Sequence, residues 1–317
     1  MSELSIIICT RNRIEDLTRL IRSISIQQNL EGDAVELLIV DDGNIPEEVL
    51  GEFRSLLSRL PGSRVAYYKK SKPGVWLSRY EALSMVQYDI VLYFDDDAEL
   101  DDPLYIRRLL DTYHRDERIV GVGGIAKGLS TSRAGKLLGI LTFQMSASLG
   151  RLSASGLAGS LLRWHEAEQP FRTEFFHGCN MSFRRKALKD MLPYPWMTSY
   201  AVADDLYMCH LASRYGTLII DPSLQILHHE SPRSRDNAGR VAKATAVNHY
   251  YFLNLKQAGM RHYAALLWTL TYLMGKESLK RNFNAVKGYA AGMLFVLNPR
   301  KEPYKEYMNA RLSPEKA

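Results

Sequence analysis

Cysteine is scarce in this chain of 317 residues: Cys9, Cys179 and Cys209 are scattered with no paired spacing. That argues against a disulfide framework and fits a reducing compartment, each thiol sitting in an apolar context. Long hydrophobic runs are missing too. The most apolar stretches, Leu266 to Met274 and Tyr289 to Leu297, fall well short of the roughly 20 residues a membrane-spanning helix needs. Met1 leads almost at once into a strand-like segment; without a basic and then apolar leader, a cytoplasmic protein is expected. There is no internal repeat, zinc-finger spacing, aromatic-basic recognition motif or long basic tract, so no nucleic-acid partner is expected. The net charge of +6 is moderate, with Arg233, Arg235, Arg240 and Lys243 forming a local cluster. Such a cluster points only weakly to phosphate-bearing or anionic partners.

What the sequence does contain is concentrated acid. Val91-Leu92-Tyr93-Phe94 runs straight into Asp95-Asp96-Asp97. Three adjacent carboxylates repel one another, and a divalent cation is the usual remedy. Strand alternation puts Asp95 and Asp97 on one side and Asp96 on the other. The first pair then makes an oxygen-rich site suited to Mg or Mn. The competing reading is an acidic loop, since Asp101, Asp102 and Pro103 would start a helix well.

The order of elements predicts an α/β fold. Ser5–Cys9, Val35–Val40, Val65–Tyr68 and Asp89–Phe94 read as buried strands. Between them lie helical patterns around Leu17–Ile24, Glu47–Leu60 and Val75–Met85, an alternation that implies a mainly parallel sheet. Ligands of such sheets bind beyond the carboxyl ends of the strands, where Asp41, Asp42, Asp95 and Asp97 fall. Further on come a helix at Arg107–Tyr113, a strand at Ile119–Ile125, a helix near Arg185, a helix from Ala203 to Ala212, and strands at Leu218–Ile220 and Ser223–Leu227. Residues 127–169 are rich in Ser, Gly and Ala and show no clear period, as expected of substrate-specific loops or a flap. Residues 1–237 are expected to form one α/β domain and 238–317 a helical extension. Its aromatic and basic side chains suit either packing on the sheet or a membrane interface.

Taken in order, Cys9-Thr10-Arg11-Asn12-Arg13, Val40-Asp41-Asp42-Gly43, Lys72-Pro73-Gly74 through Arg79, Asp95-Asp96-Asp97, His177-Gly178-Cys179-Asn180, Ala203-Asp204-Asp205-Leu206 and His228 resemble glycosyltransferase family 2, the inverting enzymes of GT-A fold. Rhamnosyltransferase-like enzymes of bacterial cell-surface glycans are the kind suggested. The resemblance spans roughly residues 4–230. It implies a Rossmann-like GT-A domain with flanking helices, a nucleotide-diphosphate sugar donor with UDP or dTDP favoured, and a glycan or lipid-linked saccharide as acceptor, at the inner membrane face. Thr10, Arg11, Asp41, Asp42, Arg79, Asp95 and Asp96 would then face the nucleotide, and Asp95, Asp97 and His228 would hold Mn or Mg, with His229 an alternative to His228. Asp205 would be the catalytic base, with Asp204 orienting it, holding the acceptor or taking the base role itself, unless Asp205 is only a cap or first-turn acid of its helix. Gly178, Cys179, Asn180 and Trp196 would line the donor and acceptor cleft; an ordinary buried Trp is the alternative for the last. A sugar-1-phosphate nucleotidyltransferase would need a glycine-rich loop after the first strand, and Thr10-Arg11-Asn12-Arg13 has no glycine. A non-catalytic carbohydrate-binding relative would be expected to have lost Asp95, Asp97 or Asp205.

Overall fold

The computed structural model describes residues 3–60, 62–197, 201–230 and 237–299. Arg233 and Arg235 of the basic cluster lie outside them. The elements run β1 (Glu3–Thr10), α1 (Ile14–Ser25), β2 (Ala34–Asp41), α2 (Glu47–Leu57), β3 (Arg64–Lys69), α3 (Val75–Ala82), β4 (Ile90–Asp95), β5 (Ala98–Glu99), α4 (Tyr105–Arg115), β6 (Ile119–Ala126) and α5 (Arg133–Leu141). They continue with β7 (Phe171–Arg172), β8 (Asn180–Arg184), α6 (Asp204–Ala212), β9 (Thr217–His228), α7 (Ala238–Leu255), α8 (Met260–Leu279) and α9 (Phe283–Leu297).

The sheet runs β3-β2-β1-β4-β8-β6-β9-β5, with β7 paired to β9. β1 to β4 pair in parallel, and β8 enters antiparallel between β4 and β6. Strand alternation divides the core by face. Ile6, Ile8, Leu37 and Ile39 pack with Leu20 of α1, Phe53 of α2 and Leu109 of α4. Ile7, Leu38, Val40 and Tyr93 pack on the other face with Trp76 of α3, Tyr207 of α6 and Phe252 of α7. Helices cover both faces, which is why these strands read as unbroken apolar runs. This is an α/β fold with C-terminal helices.

Register brings the chemistry to one edge. Thr10 pairs with Asp41, Cys9 with Asp95, and Phe94 with Asn180, so the ends of β1, β2 and β4 and the start of β8 line up. The short β5 pairs Ala98 with His228 and thereby sets β9's end beside Asp97. Three local expectations are corrected. Leu218–Ile220 and Ser223–Leu227 belong to the single strand β9, whose pairing with β6 shifts register between Ile220 and Gln225. The helix near Arg185 is only a 3-10 turn, Arg185–Leu188. Within 127–169 the chain forms α5, capped by the Ser132 side chain on Gly135 N–H, and a 3-10 turn at Gly159–Glu166.

Glycine is obligatory at one crossing. A Cβ on Gly124 of β6 would lie 1.9 Å from the Leu224 carbonyl oxygen and 2.4 Å from Asn180 Nδ2. Gly124→Ala must push β6 off β9 and is expected to destabilise the protein by at least about 1–3 kcal/mol, read by thermal or urea denaturation. The helices α7 and α9 also meet closely: a Cβ on Gly288 would lie 2.2 Å from the Gly239 carbonyl oxygen.

Candidate active site

The site is built around Arg79, a buried guanidinium on α3. It donates to Asp204 at 2.5 Å, to Asp95 at 3.0 Å and to the Gly178 carbonyl at 3.1 Å. Burial works against its charge, but Asp204 and then Asp95 hold the proton on more firmly than usual. One side chain therefore ties α3, β4, the 177–180 turn and α6 together, and fixes the carboxylates that face it.

The acidic triplet does split, but only Asp95 belongs to β4, and Asp96 and Asp97 form the turn into β5. Asp96 points inward and accepts from Thr10 Oγ1 at 2.7 Å and from Arg13 at 2.9 Å. Burial raises its pKa to about 6, with Thr10 and Arg13 pulling the other way. Thr10 and Asp96, expected at the nucleotide, are thus committed to each other. Asp97 lies 3.1 Å from His228 Nε2 and 3.6 Å from Arg13. Asp95, with its side chain 38% exposed, opens to the cleft. Asp95, Asp97 and His228 each present one ligand atom within 4.8 Å of the other two. Two carboxylates and an imidazole are a donor set that suits Mn or Mg. His228 is opposed by burial, but the hydrogen bond to Asp97 and the charge of Asp95 raise its pKa. His229 turns away and sits 2.7 Å from Glu99.

Asp204 and Asp205 open α6, reached through Ala203 in the left-handed region at φ 70°. A non-glycine residue there is strained, a cost that tends to be kept where geometry matters. Burial raises Asp204's pKa against the pull of Arg79. Asp205, raised first by burial and then by the charge of Asp204, reaches about 7. Its Oδ1 accepts from Leu206 N–H at 2.8 Å, and no side-chain cap hydrogen bond comes from the N-cap residue, Ala203. Asp205 also borders a cavity of 540 Å³ walled by Leu138, Met145, Leu157, Leu161 and Leu206, with His249 and Lys276 among its polar lining.

A profile of Glycosyl transferase family 2 matches residues 5–192, more than half of the chain. The chain belongs to this family. No curated protein sequence matches it. Among solved structures it is similar to mannosyltransferase PcManGT from Pyrobaculum calidifontis in complex with GDP-Man and Mn2+, at 14% identity, TM-score 0.57, and coverage of 94% of this chain and 88% of that one. S. aureus TarS 1-349 in complex with UDP-GlcNAc is similar at 15% identity and TM-score 0.52, over 98% and 79% of the two chains. GalNAc-T7 with UDP, GalNAc and Mn2+ is similar at 15% identity and TM-score 0.53, over 79% and 50%.

In this glycosyltransferase several expected cleft residues have other work. Asp41 is fully buried and accepts from Gly43 N–H, Ile45 N–H and the Tyr67 hydroxyl. Asp42 accepts from Gly74 N–H at 2.7 Å and lies 3.4 Å from Lys70, so it pins the loop before α3. Asn180 faces the core: it accepts from the Tyr105 hydroxyl and donates to the Leu224 carbonyl. Trp196 is 7% exposed, stacks on Tyr194 and Tyr251 at 4.6 and 4.7 Å, and donates to the Tyr207 hydroxyl. It is a core residue and offers no open platform. Cys179 is buried with Sγ 3.1 Å from His177 Nδ1. Arg11 is exposed in the turn after β1.

Gly178 differs from these residues in kind. A Cβ there would meet Arg79 at 3.5 Å and Asp205 Cβ at 3.7 Å, ordinary contacts, so the fold does not need glycine. Gly178→Ala is expected to leave the melting temperature within about 2 °C, since surface-like changes cost under roughly 0.5 kcal/mol. A rise in KM at unchanged melting temperature would show that substrate occupies that space. Arg13, bridging Asp96 and Asp97, and His177 were not singled out from the sequence. Two arginines just past the end of β1 were the available signal for the first.

Proposed function

We propose that this glycosyltransferase is a metal-dependent inverting enzyme that moves a sugar from a nucleotide-diphosphate sugar to a hydroxyl of a glycan or lipid-linked acceptor, in cell-surface polysaccharide synthesis. The observation that carries the reading is that Arg79 ties Asp95, one of the Asp95/Asp97/His228 ligand set, to Asp204, the residue next to Asp205. The donors and Mn2+ present with the similar solved structures support it.

Asp95, Asp97 and His228 would hold Mn or Mg, which as a Lewis acid neutralises charge building on a diphosphate leaving group. Asp205 takes the proton from the acceptor hydroxyl as its oxygen forms the new bond to the anomeric carbon and the bond to the diphosphate oxygen breaks. One displacement inverts the configuration. Asp204, locked to Arg79, orients its neighbour. The apolar cavity beside Asp205 supports an acceptor that carries a hydrocarbon part. Leu137, Leu141 and Trp268 are 60%, 62% and 54% exposed, and Trp268 donates to the Leu141 carbonyl at 3.1 Å. This apolar patch supports a peripheral membrane contact. No helix among the described residues is long and apolar enough to cross a membrane.

Asp41 is fully buried and accepts three hydrogen bonds from within the chain, so it lends no support to a uracil or thymine preference. A thermal-shift screen of UDP-, dTDP- and GDP-sugars with and without Mn2+ decides the nucleotide. Chelation with EDTA is expected to abolish transfer and Mn2+ or Mg2+ to restore it. Asp97→Ala should lose both transfer and the Mn-dependent part of donor affinity. Full transfer in that variant, or in chelator, would refute the metal assignment.

A further inference from the structure

Beside the oxygen-rich trio lies a softer one. His177, Cys179 and His228 present a nitrogen, a sulfur and a nitrogen, all within 4.8 Å of one another. We propose that these three residues form a second cation site, selective for thiophilic divalent ions such as Zn2+, and that it excludes an ion at Asp95 and Asp97 because both sites require His228.

The fold makes the overlap unavoidable. The turn from His177 into β8 sits at the end of β4, and the β5–β9 pairing delivers His228 to the same point. The His177 and His228 rings stand edge to face with centroids 5.6 Å apart. Cys179 already lies against His177 Nδ1. Donor chemistry then separates the two sites: carboxylates favour Mn and Mg, whereas thiolate and imidazole favour Zn. Three protein ligands plus water complete the tetrahedral set common for zinc. The other thiols do not join in: Cys209 Sγ accepts from Phe176 N–H at 3.2 Å, and Cys9 belongs to no ligand group among the described residues. As the metal–sulfur bond forms, the Cys179 proton leaves to solvent, together with any proton that His228 carries. An ion held there takes His228 from the Asp95/Asp97 set, so Zn2+ would inhibit an enzyme that depends on Mn2+ or Mg2+. That consequence rests on the metal-dependent reading; the existence of the site does not.

The test adds Co2+, a spectroscopic stand-in for Zn2+, to the metal-free full chain. One equivalent is expected to give a near-ultraviolet sulfur-to-cobalt charge-transfer band that excess Zn2+ or saturating Mn2+ removes. Cys179→Ser should show no band, and His177→Gln, which keeps the sulfur, a weakened affinity for Co2+. In transfer assays normalised to each variant's own rate, His177→Gln should raise the Zn2+ concentration for half-inhibition by at least on the order of 10- to 100-fold, the loss that even a ligand's supporting residue causes. No band in the folded wild type, or a band that survives in Cys179→Ser, overturns the site. A band untouched by saturating Mn2+ overturns the exclusion. The spectrum needs no turnover, so its failure is distinct from failure of the transferase reading.

Discussion

Asp205→Asn is expected to lower kcat by about 100- to 10,000-fold, the usual contribution of a positioned general base, while donor affinity stays unchanged. The amide keeps the shape and the first-turn position but cannot take a proton. The pH dependence follows from the same environment. Burial, then Asp204, lifts the Asp205 carboxyl to about 7 from an ordinary value of 3.8. In the metal-free enzyme the basic form therefore dominates only above that value. A bound divalent cation nearby favours the ionised form, so the acidic limb of the kcat/KM profile should move to lower pH as metal saturates. The sign for stability is the opposite of a salt-bridged carboxylate's. The folded state holds this proton more tightly than the unfolded chain, so its contribution is full below about 4 and is lost as pH rises through about 7. At pH 8 Asp205→Asn should melt at or above the wild-type temperature. A variant that melts lower and loses donor binding and turnover together would make Asp205 structural.

Arg79→Ala should be the most destabilising change at the site, by about 3–5 kcal/mol, the cost of removing one partner of a buried ion pair. The penalty falls on Asp204, whose side chain is 10% exposed, more than on Asp95 at 38%, which water can still reach. With the guanidinium gone, Asp204 favours its neutral form further, so the deficit should shrink as pH is lowered. Arg79→Lys restores a charge but not the planar fork that reaches Asp204, Asp95 and the Gly178 carbonyl at once. It should recover part of the stability and less of the transfer rate. Urea denaturation at pH 5 and pH 8 checks both statements; a deficit independent of pH would mean that Asp204 is not the orphaned charge.

Expectations held where a residue's fate depends on local pattern. β1, β2 and β4 are legible because strands buried on both faces must be apolar throughout, and the acids that end them stand where parallel sheets bind ligands. The fate of individual polar side chains was less so. Asp41, Asp96 and Asn180 sit in motifs that suggest a ligand, yet each has its oxygen or nitrogen atoms engaged by Gly43, Ile45 and Tyr67, by Thr10 and Arg13, or by Tyr105 and Leu224. Buried polar atoms must find partners, and those partners are distant in the chain. Trp196 met the same fate, since Tyr251 of α7 arrives 55 residues later to stack on it.

The order of strands and helices from β1 to β4, the strand-end placement of the acids and the family were legible in the amino-acid order alone, because periodicity is a property of neighbouring residues. Which of two adjacent histidines meets Asp97, which acids Arg79 joins, and the cavity that Asp205 borders were decided by the three-dimensional packing. Those depend on the β5–β9 register and on α5, α7 and α8 meeting around the cavity. No run of consecutive residues encodes a contact between segments more than a hundred positions apart.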